Sequence, residues 1–367
     1  MSVVNTTIIP EGLLKRNSVF VRAAHAPYIT PRSLTEWHSL RAARWWHESS
    51  GHPPPEGLAI RDEKVGPPAL RRSGHPSDNR QHEIGPSILR IIEIMPEAQT
   101  LRPPDHMLTV IAIGIVAYIA AIQSHEVLGH GIVALLCGAR TLTLSTIALS
   151  TDIDNRVIPA AGPAVNFIAA ALASLFGLRI TSGAVRSPSV AYFVLLFFAF
   201  NLLLATGYFL FGGLTGAGDL AAVVHGWNPA WAWRVALGVI GLAGYYVSIR
   251  LVSISLVRFR TLYGGDAHRI SRLMLIPYLA AAALAALGAL RSPVGISILW
   301  MYALPSTLLG NIGLLIGSHI AADSPPATAL TALPIAPVPR SLPWLIISAI
   351  LAGVFILLIG PGVTILR

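Results

Sequence analysis

Two histidines and a glutamate, in the string His125-Glu126-Val127-Leu128-Gly129-His130, sit inside an apolar run long enough to cross a bilayer. Ionisable side chains at membrane depth are costly and mark function by default. Glu126 is the sole glutamate from Met107 to the C-terminus of the sequence. With 12 His in 367 residues, such a string arises by chance at about one in a hundred. In the usual zinc-hydrolase string, His-Glu-x-x-His, the histidines share one helix face and the glutamate activates water at the metal. Here the spacing is five, which on a regular helix turns His130 about 140° away from His125. A π-bulge wraps one extra residue into the turn and would bring the two imidazoles together, with Gly129 lowering the cost of the distortion. A competing geometry puts Glu126 and His130, four apart, on one face as metal ligands, a proton relay or a mutually satisfied buried pair.

A catalytic zinc keeps an open position and needs a third protein ligand. The carboxylates that remain after Glu126 are Asp152, Asp154, Asp219, Asp266 and Asp323. Asp219, in Gly216-Ala217-Gly218-Asp219, falls on the same expected membrane side as the start of the helix that carries Asn166. It is the expected third ligand, with Asp152, Asp154 or His225 as substitutes. The same Gly-x-Gly-Asp string occurs in presenilin-like aspartyl proteases, but two carboxylates sharing a proton would be required and no Tyr-Asp partner lies on an earlier helix. His268 and His319 are expected in loops.

Composition sets the class. Hydrophobic residues are 54% and charged residues 12%, against ~25% charged in soluble domains, so an integral membrane protein is expected. Residues 1–106 hold 13 Lys/Arg and 11 Asp/Glu, leaving 13 basic and 6 acidic residues for the 261 that follow. The net charge of +9 therefore reflects arginines at helix ends and gives no case for nucleic acid. Cys137 alone excludes an intrachain disulfide. The tail 1–106 is rich in Pro, Arg, His and Gly and is expected to be largely disordered, its seven scattered histidines lacking metal-site spacing. Within it, Ser33-Leu34-Thr35-Glu36 reads as a capping box for an amphipathic helix through Trp45 and Trp46. No apolar h-region follows Met1, so no cleavable signal is expected, and Met95 and Met107 stand as alternative starts.

From Met107 the apolar segments predict an all-α polytopic domain over 107–367, with about seven transmembrane helices near 108–137, 157–178, 188–212, 231–250, 273–290, 293–317 and 342–364. The most basic loop, Arg258 through Arg269 and Arg272, is expected to be cytoplasmic with Arg179, Arg186 and the tail, leaving the C-terminus outside. Trp227, Trp231 and Trp233 suit an interfacial belt, and Gly238, Gly241, Gly244, Gly313 and Gly317 suit close helix packing. Asn201 is expected to bond a neighbouring helix. Between the first two helices, Thr141-Leu142-Thr143-Leu144-Ser145 alternates with period two and Ile147 to Thr151 is β-prone, which predicts a short β-hairpin near the site. Its edge is suited to receive an extended peptide.

His125-Glu126-x-x-Gly129-His130, Gly138, the β-prone stretch and Ala161-Gly162-Pro163-Ala164-Val165-Asn166 together resemble the core of site-2 proteases, intramembrane zinc metalloproteases. The resemblance covers roughly 125–219 and places a metalloprotease-like core at 107–225. It implies Zn2+ on His125 and His130, Glu126 as general base and Asn166 close to the substrate. That family reads His-Glu-x-Gly-His and carries its ligand aspartate in an Asn-Pro-Asp-Gly element, which this chain lacks. The hexapeptide alone also resembles the zinc motif of dipeptidyl peptidase III. Site-2 proteases work close to the cytosolic face, whereas the arginines here put Asp219 outside, and the motif order is given more weight than that bias. The expected function is a zinc endopeptidase of the plasma (inner) membrane acting on membrane protein or peptide substrates, its oligomeric state left open. The alternative is a non-catalytic metal-binding membrane protein or inactive relative.

Overall fold

A chain segment in hydrocarbon has no water to satisfy its backbone, so long apolar stretches must close their hydrogen bonds internally as helices. A computed structural model describes residues 104–181, 187–293, 296–324 and 336–366. The expected tail helix near Ser33 and the position of Arg186 lie outside the described residues. Among the described residues, seven helices are long and apolar enough to cross a membrane and one small sheet is formed, and the protein is an all-α multi-pass membrane protein. The spans are α1 (Met107–Leu136), α2 (Val157–Thr181), α3 (Pro188–Thr215), α5 (Ala230–Tyr263), α6 (Ala267–Ala289), α7 (Leu299–Asp323) and α8 (Leu342–Ile359), with a single short turn, α4 (Asp219–Val223), between α3 and α5.

Strand β1 (Thr141–Leu144) pairs antiparallel with β2 (Leu149–Thr151) as the expected hairpin. A third strand, β3 (Val363–Leu366), pairs with the other edge of β1, giving the order β2-β1-β3. The expected helix to 364 therefore stops at Ile359, where Gly360-Pro361-Gly362 breaks it. This pairing checks the span count, because an element after the last span meets the loop after the first only if an odd number of crossings is made.

The basic loop expected from Arg258 to Arg272 is instead only Gly264–Asp266. Val252, Leu256, Phe259 and Tyr263 continue a buried stripe at four- and three-residue spacing, so α5 runs on to 34 residues. At about 50 Å it exceeds the ~30 Å hydrocarbon thickness, and its last turns carry Arg258 and Arg260. Asp266 caps α6 by accepting from the Arg269 N–H, which moves that helix start to Ala267 from the expected 273. The sixth span begins at Leu299 rather than 293 and runs to Asp323, so His319 is an exposed helical residue, as is His268 in α6.

Helix α3 is the centre of the bundle, with Leu196, Ala199, Phe200, Asn201, Leu203 and Ala205 fully buried. Gly241 of α5 faces the Leu210 backbone so closely that a Cβ there would collide with it, and Gly313 of α7 sits against Leu203 and Tyr245. Small residues at such crossings let helices approach in a medium that offers little hydrophobic drive.

Asp105, assigned from sequence to the tail, is folded in. The Arg269 guanidinium donates to both its oxygens at 2.7 and 2.8 Å and spends its remaining donors on the carbonyls of Tyr263, Gly264 and Ala336. The Val338 N–H also donates to Asp105. Burial pushes the Asp105 carboxyl up, but these hydrogen bonds and the Arg269 charge outweigh it and hold the group below its ordinary value. With the side chains only 12% and 8% exposed, Arg269→Ala should cost about 3 kcal/mol by leaving a buried carboxylate unpaired. Thermal unfolding in detergent should show this loss. A depressed carboxylate stabilises above its unfolded value of about 3.9, so the gap between wild type and Asp105→Asn should persist at neutral pH and close as the pH falls below it.

Candidate metal centre

Residues Ser124–Gly131 of α1 form a π-helix. Its i to i+5 bonding absorbs the extra residue and stacks His130 over His125, whose Nε2 atoms stand 3.1 Å apart. Asp219 Oδ2 lies 3.0 Å from His125 Nε2 and 3.5 Å from His130 Nε2. His125, Glu126 and His130 form a buried group whose ligand atoms lie within 4.8 Å of one another and could hold a metal ion. The widened turn thus brings the two histidines together as the spacing argument expects, and Asp219 meets them from the start of α4.

The hydrogen bonds behind the imidazoles decide what faces forward. His130 donates from Nδ1 to the Ile158 carbonyl at 2.7 Å, which leaves Nε2 as a lone pair. His125 Nδ1 meets Asn166 Oδ1 at 2.5 Å, while the Asn166 amide donates to the Ala121 carbonyl and to Asn201 Oδ1. Asn201 in turn donates to the Phe197 carbonyl. This relay orients both amides, so Asn166 presents an oxygen and His125 must donate from Nδ1. Two imidazole lone pairs and a carboxylate oxygen therefore converge at 3.0–3.5 Å. Such an arrangement repels itself unless a cation or a shared proton lies among the three atoms, and backbone or amide acceptors behind ligating histidines are the usual support of a metal. The donor set fits a divalent metal, with His125, His130 and Asp219 to hold it.

Glu126 stands beside this triad. Its carboxylate takes a backbone hydrogen bond from Leu149 of β2, and Oε2 is buried with no partner among the described residues. Glu126 and His130 make no direct ion pair among the described residues, since His130 commits its nitrogens to Ile158 and to the triad, although both belong to the group that could hold a metal ion.

Asp219 owes its position to the end of α3. Gly216 terminates that helix at φ 70° and Gly218 turns the chain at φ 84°, a conformation L residues avoid, which aims Asp219 back at α1. Burial pushes its carboxyl up, and positive charge held among it and the His130 and His125 rings, a shared proton or a metal ion, outweighs that and keeps it ionised, well below the ordinary carboxylate range. The loop beyond is tied to α2 by Arg156, which donates to the His225 carbonyl at 2.8 Å and lies over the Trp227 ring. Asp152, named as a substitute ligand, instead accepts from the Arg140 and Thr141 N–H groups at the start of β1, and Asp154 is exposed.

Asn166, which the resemblance places close to the substrate, lies directly behind His125. It is fully buried behind His125 with its amide committed, so it orients a ligand and has no group free for a substrate. Sequence reasoning quoted Gly162 but gave it no role at the site, where a Cβ on it would fall 2.5 to 2.6 Å from the rings of both histidines. Gly129 permits the same approach from the other side, because a Cβ there would lie 2.6 Å from Gly162 Cα. The Gly-Pro pair opening α2 is the signal that could have found it. Tyr208, stacked on His125 at 4.5 Å between ring centroids, carries no such signal in the sequence.

Comparison with family models, with curated proteins and with solved structures finds no match to this chain. The site's chemistry is therefore read from its own geometry. Asn166→Ala should free the His125 ring and lower metal affinity ~10–100-fold, the range for lost outer-shell support, as a metal titration of the purified protein would measure. Gly162→Ala should also deplete bound metal, because only a displacement of the ligand rings makes room for the methyl group.

Proposed function

We propose that this protein is a membrane-embedded zinc metallopeptidase that hydrolyses peptide bonds of membrane-associated protein substrates. The observation that carries this reading is the pairing of three convergent lone pairs, on His125, His130 and Asp219, with a glutamate oxygen beside them that has no partner. Two imidazoles and one carboxylate are a ligand set typical of catalytic zinc, which when bound supplies a Lewis acid for amide hydrolysis. Glu126 accepts a proton from the attacking water and returns it to the leaving amide nitrogen as the carbon–nitrogen bond breaks. Leu149 fixes that carboxylate through one oxygen and leaves the other to act. The resemblance of 125–219 to site-2 proteases supports the same reading, with the five-residue spacing accommodated by the π-helix. The plasma (inner) membrane is the proposed location.

The enclosure of the centre, with His125, Glu126 and His130 only 1%, 3% and 4% exposed, favours a second reading, a non-catalytic metal-binding membrane protein. Glu126→Gln separates the two. For a peptidase, elemental analysis should find about one zinc per chain in wild type and in Glu126→Gln, while cleavage of a transmembrane peptide falls by the ~10²–10⁴ expected of a lost general base. Loss of zinc in His130→Ala and Asp219→Ala should accompany this. A zinc-loaded wild type with no hydrolysis of any membrane peptide would leave the second reading standing.

A further inference from the structure

At the end of the bundle that carries Asp105 and Arg269, far along α2, α3 and α5 from the metal centre, the three helices leave an open groove. Its walls are mainly apolar, with Ser174 and Ser255 among them, and its depth comes from small residues, Ala173 and Gly177 on α2 and Ala191 on α3, set against Leu195, Phe198 and Phe259. An ideal Cβ on Gly177 would meet nothing within 4 Å, so the space beside it is open. Arg258 lines the same groove, is exposed, and makes no hydrogen bond or ion pair among the described residues. None of the three helices that build the groove carries a single Asp or Glu, so no counter-ion comes from its walls.

An apolar groove on the outside of a membrane bundle fills with hydrocarbon, and an arginine at its margin takes the phosphate of the molecule that supplies the chain. A zwitterionic headgroup carries its own cation close to that phosphate and so opposes Arg258, whereas an anionic headgroup does not. We propose that this groove binds one anionic phospholipid, with an acyl chain between α2, α3 and α5 and the phosphate on the Arg258 guanidinium.

Native mass spectrometry of the full chain in detergent, titrated with phosphatidylglycerol or phosphatidylcholine, tests this. Phosphatidylglycerol should bind about fivefold more tightly, the factor for one arginine near an anionic lipid. Arg258→Gln, at an exposed position, should equalise the two lipids. Gly177→Phe, which points into open space, should fill the groove, keep Arg258 and weaken both. Equal binding of the lipids by wild type, a preference that survives in Arg258→Gln, or unchanged binding in Gly177→Phe would each overturn the proposal.

Discussion

Five residues separate the two histidines that must face each other, and a helix can reconcile that number only by widening one turn. The π segment Ser124–Gly131 does this in the middle of a membrane span, and the neighbouring structure is shaped to fit it. A widened turn pushes the ligand rings outward against α2, so α2 must present a position with no side chain, and Gly162 is that position. Gly129 then lets the two backbones close on each other, which puts the Ile158 carbonyl within reach of His130 and Asn166 within reach of His125. The metal-ligand spacing and the α1–α2 crossing are therefore one constraint seen from two sides.

The other half of the site is anchored on α3. Its buried carbonyl at Phe197 begins the relay through Asn201 and Asn166 to His125, and its glycine-terminated end delivers Asp219. A largely buried helix at the centre of the bundle thus fixes the tautomer of one ligand and the location of another. Fixing ligands from an immobile element is what keeps a site within the tolerance that chemistry demands. A displacement of α3 would disturb both at once.

Much of this was legible in the residues. Apolar segment lengths point to seven spans, period-two alternation points to the hairpin, and the rotation per residue makes a π-bulge the way for both histidines to share a face. The helix ends were less legible, because an amphipathic stripe such as Val252, Leu256, Phe259 and Tyr263 looks like a basic loop when read by its arginines. The hydrogen bonds of Asn166 were not legible, because a buried amide and a substrate-facing amide have the same sequence signature, and only the partners of its oxygen and nitrogen distinguish them. Tyr208 acts through stacking across helices, which no local pattern encodes, and Gly162 is marked only by the proline that follows it.

Strand β3 joins a sheet whose other members lie before the second span, and Thr143 and Thr364, 221 positions apart, share a hydrogen bond across it. The sheet that supports Glu126 through Leu149 can therefore be completed only after every span has been threaded. A chain inserted with one helix skipped would deliver Val363–Leu366 to the opposite face of the bilayer and leave β1 with an open edge. Closure of this sheet thus acts as a parity check on biogenesis, in which the region beside the centre reaches its final form only when membrane topology is correct.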